Sequence, residues 1–223
     1  MRKNRPQDIN EMQIISEQMT KCICKIHKDN EAATGFFLKI KKQNGYIKVL
    51  MTNKHVLDEK YMKEKREIII SVNNEENYIV IDMDPSFKRK YYIDEQFDST
   101  FIEIKKNEFN ENLIHFLEVD QRVYTQIESL KNEQIYILNY PENSRIVNSS
   151  GILKEIRDNQ EIIYDCVTKY GSSGSPILSL RTFKVIGIHS QDRRNENAIV
   201  KKGFCIHKPI NEYILYIKGF KII

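Results

Sequence analysis

Between residues 21 and 207 the chain is cut into about a dozen short runs rich in Ile, Val, Tyr and Phe. The runs lie at 22–26, 35–40, 46–52, 68–72, 78–81, 100–104, 135–138, 151–156, 162–167, 176–180, 185–189 and 203–207. Turn formers such as Asn44-Gly45, Asn73-Asn74 and Pro141-Glu142-Asn143 separate them. β-Branched and aromatic residues suit a pleated surface, and the punctuation holds each run to strand length. So many short strands leave two architectures open: an all-β sandwich or a pair of barrels. Helical spacing shows at three places only. The first is residues 1–20, where Asp8 and Glu11 fit a capping box and Ile9, Met12, Ile15 and Met19 share a face. The second is 55–65. The third is the C-terminal segment from Pro209, with Ile210, Ile214 and Ile217 in phase.

Composition narrows the function. Hydrophobic residues make up 40% of the 223, enough for a packed core. The 35 basic and 31 acidic residues leave a net charge of only +4, which argues against a nucleic-acid partner held by an all-basic surface. No apolar run approaches the ~20 residues of a membrane helix, so no membrane partner is expected. The basic start, Met1 to Asp8, is not followed by an apolar signal core, and a cytoplasmic location is expected. Basic stretches at 39–48 and 87–90 read as solvated hairpin ends. Cys22, Cys24, Cys166 and Cys205 are too few for a disulfide framework and read as free, buried thiols. Alternation sets Cys22 and Cys24 on one strand face, and Cys166 with Cys205 is the one pairing left open. No metal-ligand spacing is present, and neither a metal nor another cofactor is expected.

The segment Tyr170-Gly171-Ser172-Ser173-Gly174-Ser175-Pro176 leads into a strand. A serine between glycines in a tight turn can present its hydroxyl, and the N–H groups of Gly171 and Ser173 can converge on one point as an oxyanion hole. An ordinary Gly/Ser turn between strands would look the same. Two other features set it apart. The strand ending in Thr52-Asn53 runs into His55, and Asp98 stands directly before an alternating strand. A buried carboxylate can hold an imidazole in the tautomer that accepts a serine proton. Asp82, Asp84 and Asp94 compete with Asp98, but Asp98 alone immediately precedes such a strand. His27, His115 and His207 read as core or surface histidines.

These motifs resemble the trypsin-like serine proteases, and among them the glutamyl endopeptidase branch. The resemblance runs over nearly all of residues 22–217. It rests on Thr34-Gly35-Phe36-Phe37, Thr52-Asn53-Lys54-His55-Val56 and Asp98-Ser99-Thr100-Phe101-Ile102. Further along it rests on Asn139-Tyr140-Pro141, Ser149-Ser150-Gly151-Ile152, Gly171 to Pro176 and Val185-Ile186-Gly187-Ile188-His189. It implies two packed six-stranded antiparallel β-barrels, about 21–120 and 121–207. A C-terminal helix at about 209–218 and an N-terminal helical extension over 1–20 complete the expected layout. It implies a peptide or protein substrate cleaved by Ser173 as nucleophile, His55 as general base and then acid, and Asp98 as its orienter. The oxyanion hole is then made by Gly171 and Ser173. Ser172 and Ser175 are the neighbouring alternatives to Ser173, which alone lies two residues after Gly171 and directly before Gly174. Thr168 and His189 match the branch's residues for an acidic substrate side chain, so cleavage after Glu or Gln is expected, and Lys169 adds a nearby positive charge. Two departures stand out. Ser172 occupies the position where trypsin-type zymogens carry an aspartate, and Ser190-Gln191-Asp192-Arg193-Arg194 follows His189 where glycines are usual. A catalytically idle binding module, or a protease activated by a protein partner docking on the N-terminal extension, are the alternative readings.

Overall fold

The computed structural model describes residues 8–28, 31–106, 108–110, 112–158, 160–195 and 198–219, with backbone alone at 143, 191–195 and 198–200. Residues 1–7 of the expected extension lie outside them, as do the side chains of Gln191 to Arg194. The elements run α1 (Ile9–Lys21), β1 (Ile23–Lys28), β2 (Glu31–Lys42), β3 (Gly45–Thr52), α2 (Glu59–Glu64), β4 (Glu67–Val72), β5 (Asn77–Asp82), β6 (Tyr91–Asp94), β7 (Ser99–Glu103) and β8 (Leu117–Glu118). After them come α3 (Arg122–Thr125), β9 (Gln134–Asn139), β10 (Val147–Ile156), β11 (Glu161–Tyr164), β12 (Pro176–Ser179), β13 (Val185–Asn195), β14 (Ala198–Cys205) and α4 (His207–Ile217).

The fold is all-β with two barrel units. The first is a half-barrel sheet in the order β5-β4-β1-β2-β3-β7-β6, with β8 added parallel to β2, so it has eight strands and stays open. The second is a closed six-stranded barrel, β10-β11-β14-β13-β12-β9. The middle of the first sheet, β1, β2, β3 and β7, is buried on both faces, which explains its near-continuous apolar runs, while β4 and β5 keep one exposed face with Ile69, Tyr78 and Val80. Cys24, Ile26, Phe37, Leu50 and Ile102 fill its own interior. Their neighbours Ile23, Phe36, Leu38, Met51 and Phe101 turn the other way and join Tyr136, Ile137 and Ile177 of the second barrel in one cluster. β1, β2, β3 and β7 therefore serve two cores at a period of two.

Several local expectations shift. Asp8 and Glu11 do form the reciprocal capping box. The buried face of α1, however, is Ile15 and Gln18, while Ile9 and Met12 are 74% and 57% exposed. Only the second half of the helix docks. There Gln18 donates to the Phe183 carbonyl at 2.8 Å and accepts the Tyr136 hydroxyl at 2.5 Å, tying α1 to the second barrel. The helix expected over 55–65 starts at Glu59 because Asp58 caps it, accepting the Tyr61 N–H at 2.7 Å. Two strands, β6 and β8, were not anticipated. Arg89, expected in a solvated stretch, is buried with its side chain 2% exposed and donates to the carbonyls of Asp82 and Glu103 at 2.7 Å each and to Glu108.

Cys22 and Cys24 do not share a face. Cys22 caps the end of α1 and packs into the shared cluster, whereas Cys24 points into the first sheet's interior. All four cysteines are buried, and no disulfide joins any of them, Cys166 and Cys205 included. Burial pushes the thiols of Cys22 and Cys205 up to about 12 and raises Cys24 as well. Thiol titration with a disulfide reagent near pH 8 should therefore find four thiols in denaturant without reductant and almost none in the native protein. Fast native reaction, or fewer than four thiols on unfolding, would contradict this packing.

Candidate active site

Strand β3 delivers Thr52 and Asn53, both fully buried, to the edge of the first sheet. The chain then turns, with the Asn53 carbonyl accepting the N–H groups of Val56 and Leu57 at 3.2 Å. This turn holds His55 at the rim, its side chain 37% exposed. Thr52 pairs with Thr100 of β7, so Asp98, just ahead of β7, comes to lie beside His55. The Asp98 backbone sits at φ 45°, in the left-handed region that aspartate tolerates, and Asn53 Nδ2 donates to its carbonyl at 2.8 Å. Its carboxylate accepts the His55 backbone N–H at 3.1 Å, His55 Nδ1 at 2.8 Å, and the Ser190 hydroxyl at 2.6 Å. An ionised carboxylate only accepts, so the ring proton sits on Nδ1 and the Nε2 lone pair is left open. Burial by itself raises the Asp98 pKa, but the ring, hydroxyl and backbone donors outweigh it and hold the carboxyl below its ordinary range. The rival carboxylates are spent on local turns. Asp94 accepts the N–H groups of Gln96 and Phe97, Asp84 that of Ser86, and Asp82 that of Asp84.

The serine turn discriminates among its three hydroxyls. Ser172 and Ser175 are fully buried. Ser172 Oγ donates to Asn139 Oδ1 at 3.1 Å and accepts the Lys169 N–H at 3.1 Å; Ser175 Oγ donates to the Ser172 carbonyl at 2.5 Å. The hydroxyl of Ser173 is half-buried and, among the described residues, makes no hydrogen bond, and none joins it to His55. The N–H groups of Ser172, Gly174 and Ser175 are all donated within the protein, while those of Gly171 and Ser173 are not. Gly171 and Gly174 both sit at positive φ, 88° and 84°. A Cβ on Gly174 would stand 2.1 Å from the Thr34 carbonyl oxygen, and one on Gly171 would stand 2.5 Å from that of Tyr140, so only glycine lets the turn lie this close to its neighbours.

Two residues outside the expected set organise the site. Ser190 is one: it bonds Asp98, while its neighbour His189 accepts the Gly174 N–H through its carbonyl at 3.2 Å. Thr34 is the other. Its N–H donates to the Ser173 carbonyl at 3.0 Å and its hydroxyl to the Gly171 carbonyl at 2.9 Å; that hydroxyl also accepts the Tyr140 N–H, and its carbonyl accepts the Thr52 hydroxyl. One buried threonine thus joins the strand that carries His55, the turn that carries Ser173 and the second barrel.

Residues 33–188, more than half of the chain and spanning His55, Asp98 and Ser173, match the model of the trypsin-like peptidase domain. The chain belongs to the trypsin-like peptidase family. The fold of this chain is similar to that of a serine endoprotease from Yersinia pestis. The TM-score is 0.64 and the identity 12%, over 97% of this chain and 68% of the other. At that identity the likeness is one of fold. No curated protein matches the chain by sequence.

The residues expected to read the substrate side chain are both buried. His189, 3% exposed, has Nδ1 2.5 Å from the Tyr164 hydroxyl, and the two rings meet edge to face. Thr168 is 7% exposed and its carbonyl accepts Lys201 Nζ at 3.1 Å. The Lys169 ammonium pairs with Glu142 at 2.9 Å, with both side chains exposed. Lys201 carries no sequence signal of its own, since it reaches Thr168 only through the pairing of β14 with β11.

Proposed function

We propose that the protein is a serine endopeptidase. The observation that carries this reading is the Ser173 turn: one uncommitted hydroxyl and two undonated N–H groups, on a turn bonded to the His189 carbonyl, next to the Ser190 that binds Asp98, and to Thr34, which also binds the His55 strand. In the proposed reaction Ser173 Oγ attacks the scissile carbonyl carbon and its proton passes to His55 Nε2. Asp98 keeps the ring oriented and stabilises the imidazolium. The oxygen, now negative, is met by the N–H groups of Gly171 and Ser173. His55 then gives its proton to the departing amine, the C–N bond breaks and an acyl-enzyme remains; water repeats the sequence to release the acid. The lack of a Ser173–His55 hydrogen bond among the described residues is in keeping with this scheme, in which that bond tightens when substrate binds. Labelling of Ser173 by a fluorophosphonate, together with cleavage of a peptide library, tests it; a protein that does neither is not such an enzyme. Four buried cysteines with no disulfide among them support a reducing compartment.

The glutamyl assignment belongs to the same proposal. His189 and the Thr168 hydroxyl can both donate to a carboxylate, and Lys201 places a cation at the Thr168 carbonyl. A hydrogen bond to a charged group contributes about 1.5–3 kcal/mol, so His189→Ala should lower kcat/KM for cleavage after Glu by about 10- to 100-fold. Cleavage after Gln should suffer less. Preference for Lys, Arg or large apolar residues, unchanged in the variant, would remove this assignment and leave the chemistry untouched.

A further inference from the structure

The turn from Tyr170 to Gly174 contains four peptide units, and each is held. The Tyr170 carbonyl accepts the Glu142 N–H at 2.6 Å. The Gly171 carbonyl accepts the Thr34 hydroxyl while the Ser172 N–H donates to Lys169 O at 3.0 Å. The Ser172 carbonyl accepts both the N–H and the hydroxyl of Ser175. The Ser173 carbonyl accepts the Thr34 N–H, and the Gly174 N–H donates to His189 O. A trans peptide is planar with C=O and N–H on opposite sides. Fixing the carbonyls of Tyr170 and Ser172 therefore turns the N–H groups of Gly171 and Ser173 to the side opposite those anchors, where no acceptor among the described residues meets them. From Gly171 to Gly174 the N–H groups thus alternate undonated, donated, undonated, donated, and the anchors on the four peptide units set that order.

The centre of the arrangement is Ser172. All of its polar groups are used: N–H, carbonyl, and a hydroxyl that both donates to Asn139 Oδ1 and accepts the Lys169 N–H. Asn139 is itself 1% exposed and ends β9, a strand of the closed barrel whose position is set by pairing on both sides. A serine is uncharged, so this anchor needs no ionic partner. Resting on the endopeptidase reading above, we infer that Ser172 and Asn139 are positioning residues whose buried hydrogen bond holds the turn in its donating form. They touch neither substrate nor reacting atoms; they act through the direction of two N–H groups.

The inference predicts a specific kinetic pattern. Removing a single oxyanion donor typically costs ~10²–10³ in kcat, and loosening both by a lost anchor should cost part of that, at least about tenfold. Ser172→Ala and Asn139→Ala should each lower kcat by that amount with KM within about twofold. The double variant should lose little more than either single one, since both break one interaction. The discriminating readout is a pair of ligands: a peptide boronic acid, whose tetrahedral boron hydroxyl occupies the hole, and the matching product peptide. Boronate affinity should fall in step with kcat/KM while product affinity holds. Ser172→Thr, which keeps the hydroxyl, should recover most of the loss. Unchanged kcat in both single variants, equal loss of both ligands, or additive effects would overturn the inference while leaving Ser173 labelled. An unlabelled wild-type protein would overturn the endopeptidase reading, and the anchor role with it.

Discussion

Ser173→Ala should abolish covalent labelling and lower peptide turnover by about 10⁶, leaving the ~10³–10⁴ advantage over water that binding and the oxyanion donors retain. The size follows from the absence of a substitute. Ser172 and Ser175 lie one and two residues away, but both are fully buried and their hydroxyls are committed to Asn139 and to the Ser172 carbonyl. Freeing either one breaks a buried hydrogen bond and leaves its partner unsatisfied, at about 1–3 kcal/mol. The Ser173 hydroxyl bonds to nothing among the described residues, so its loss should leave the fold intact and shift the melting temperature by little. Mass spectrometry of the probe adduct locates the nucleophile. An adduct on Ser172 or Ser175, or full labelling of the variant, would move the chemistry to another hydroxyl.

What the sequence reveals and what it hides divide on physical lines. Each of the twelve runs carries a strand, because β-branched residues and turn formers act locally and mark strands wherever the partner lies. β6 escapes notice because Tyr91 and Tyr92 are only half-buried and follow a basic stretch; β8 is two residues long and depends on pairing with Leu38 and Lys39. The exposure of Ile9 and Met12 shows the limit of periodicity: a face can be apolar without anything being packed on it. At the site, the neighbours of His55, Asp98 and Ser173 carry a local signature of strand ends and glycines. Ser190 does not, since its partner Asp98 is 92 positions away. Thr34 is likewise one threonine in a strand until the chain closes and brings Thr52, Tyr140, Gly171 and Ser173 around it. Residues that hold a site together through contacts distant in sequence are legible only in three dimensions.

Asp98→Asn should lower kcat by about 10⁴ while the protein still folds. The surrounding donors dictate how the amide sits. The His55 backbone N–H points at Oδ1 and requires an acceptor there, so the amide oxygen keeps that place. The NH₂ group then occupies the Oδ2 position, 2.8 Å from His55 Nδ1 and 2.6 Å from the Ser190 hydroxyl. The Ser190 hydroxyl can rotate to accept one of its protons, and Nδ1 accepts the other. The amide protons and the His55 N–H are all met, and the one loss is the acceptor of the buried Ser190 hydroxyl proton, at about 1–3 kcal/mol, which lowers stability without abolishing the fold. The imidazole, however, is now held with its proton on Nε2, where it cannot take one from Ser173, and no negative charge stands ready for the imidazolium. The stability difference between the two proteins should depend on pH in a definite direction. The Asp98 pKa is lowered in the folded protein, so its ionised form contributes stability that is present above the ordinary carboxylate value of ~3.9 and lost as pH falls through the lower folded value. Asparagine resembles the protonated acid, so the variant should be the less stable protein at neutral pH and the two unfolding curves should converge on acidification. Kinetics at neutral pH and thermal unfolding between pH 3 and 7 check both halves. A variant within tenfold of wild-type activity would mean that Asp98 does not orient His55. A stability gap that widens in acid would mean that its carboxylate is not held in the ionised form by these donors.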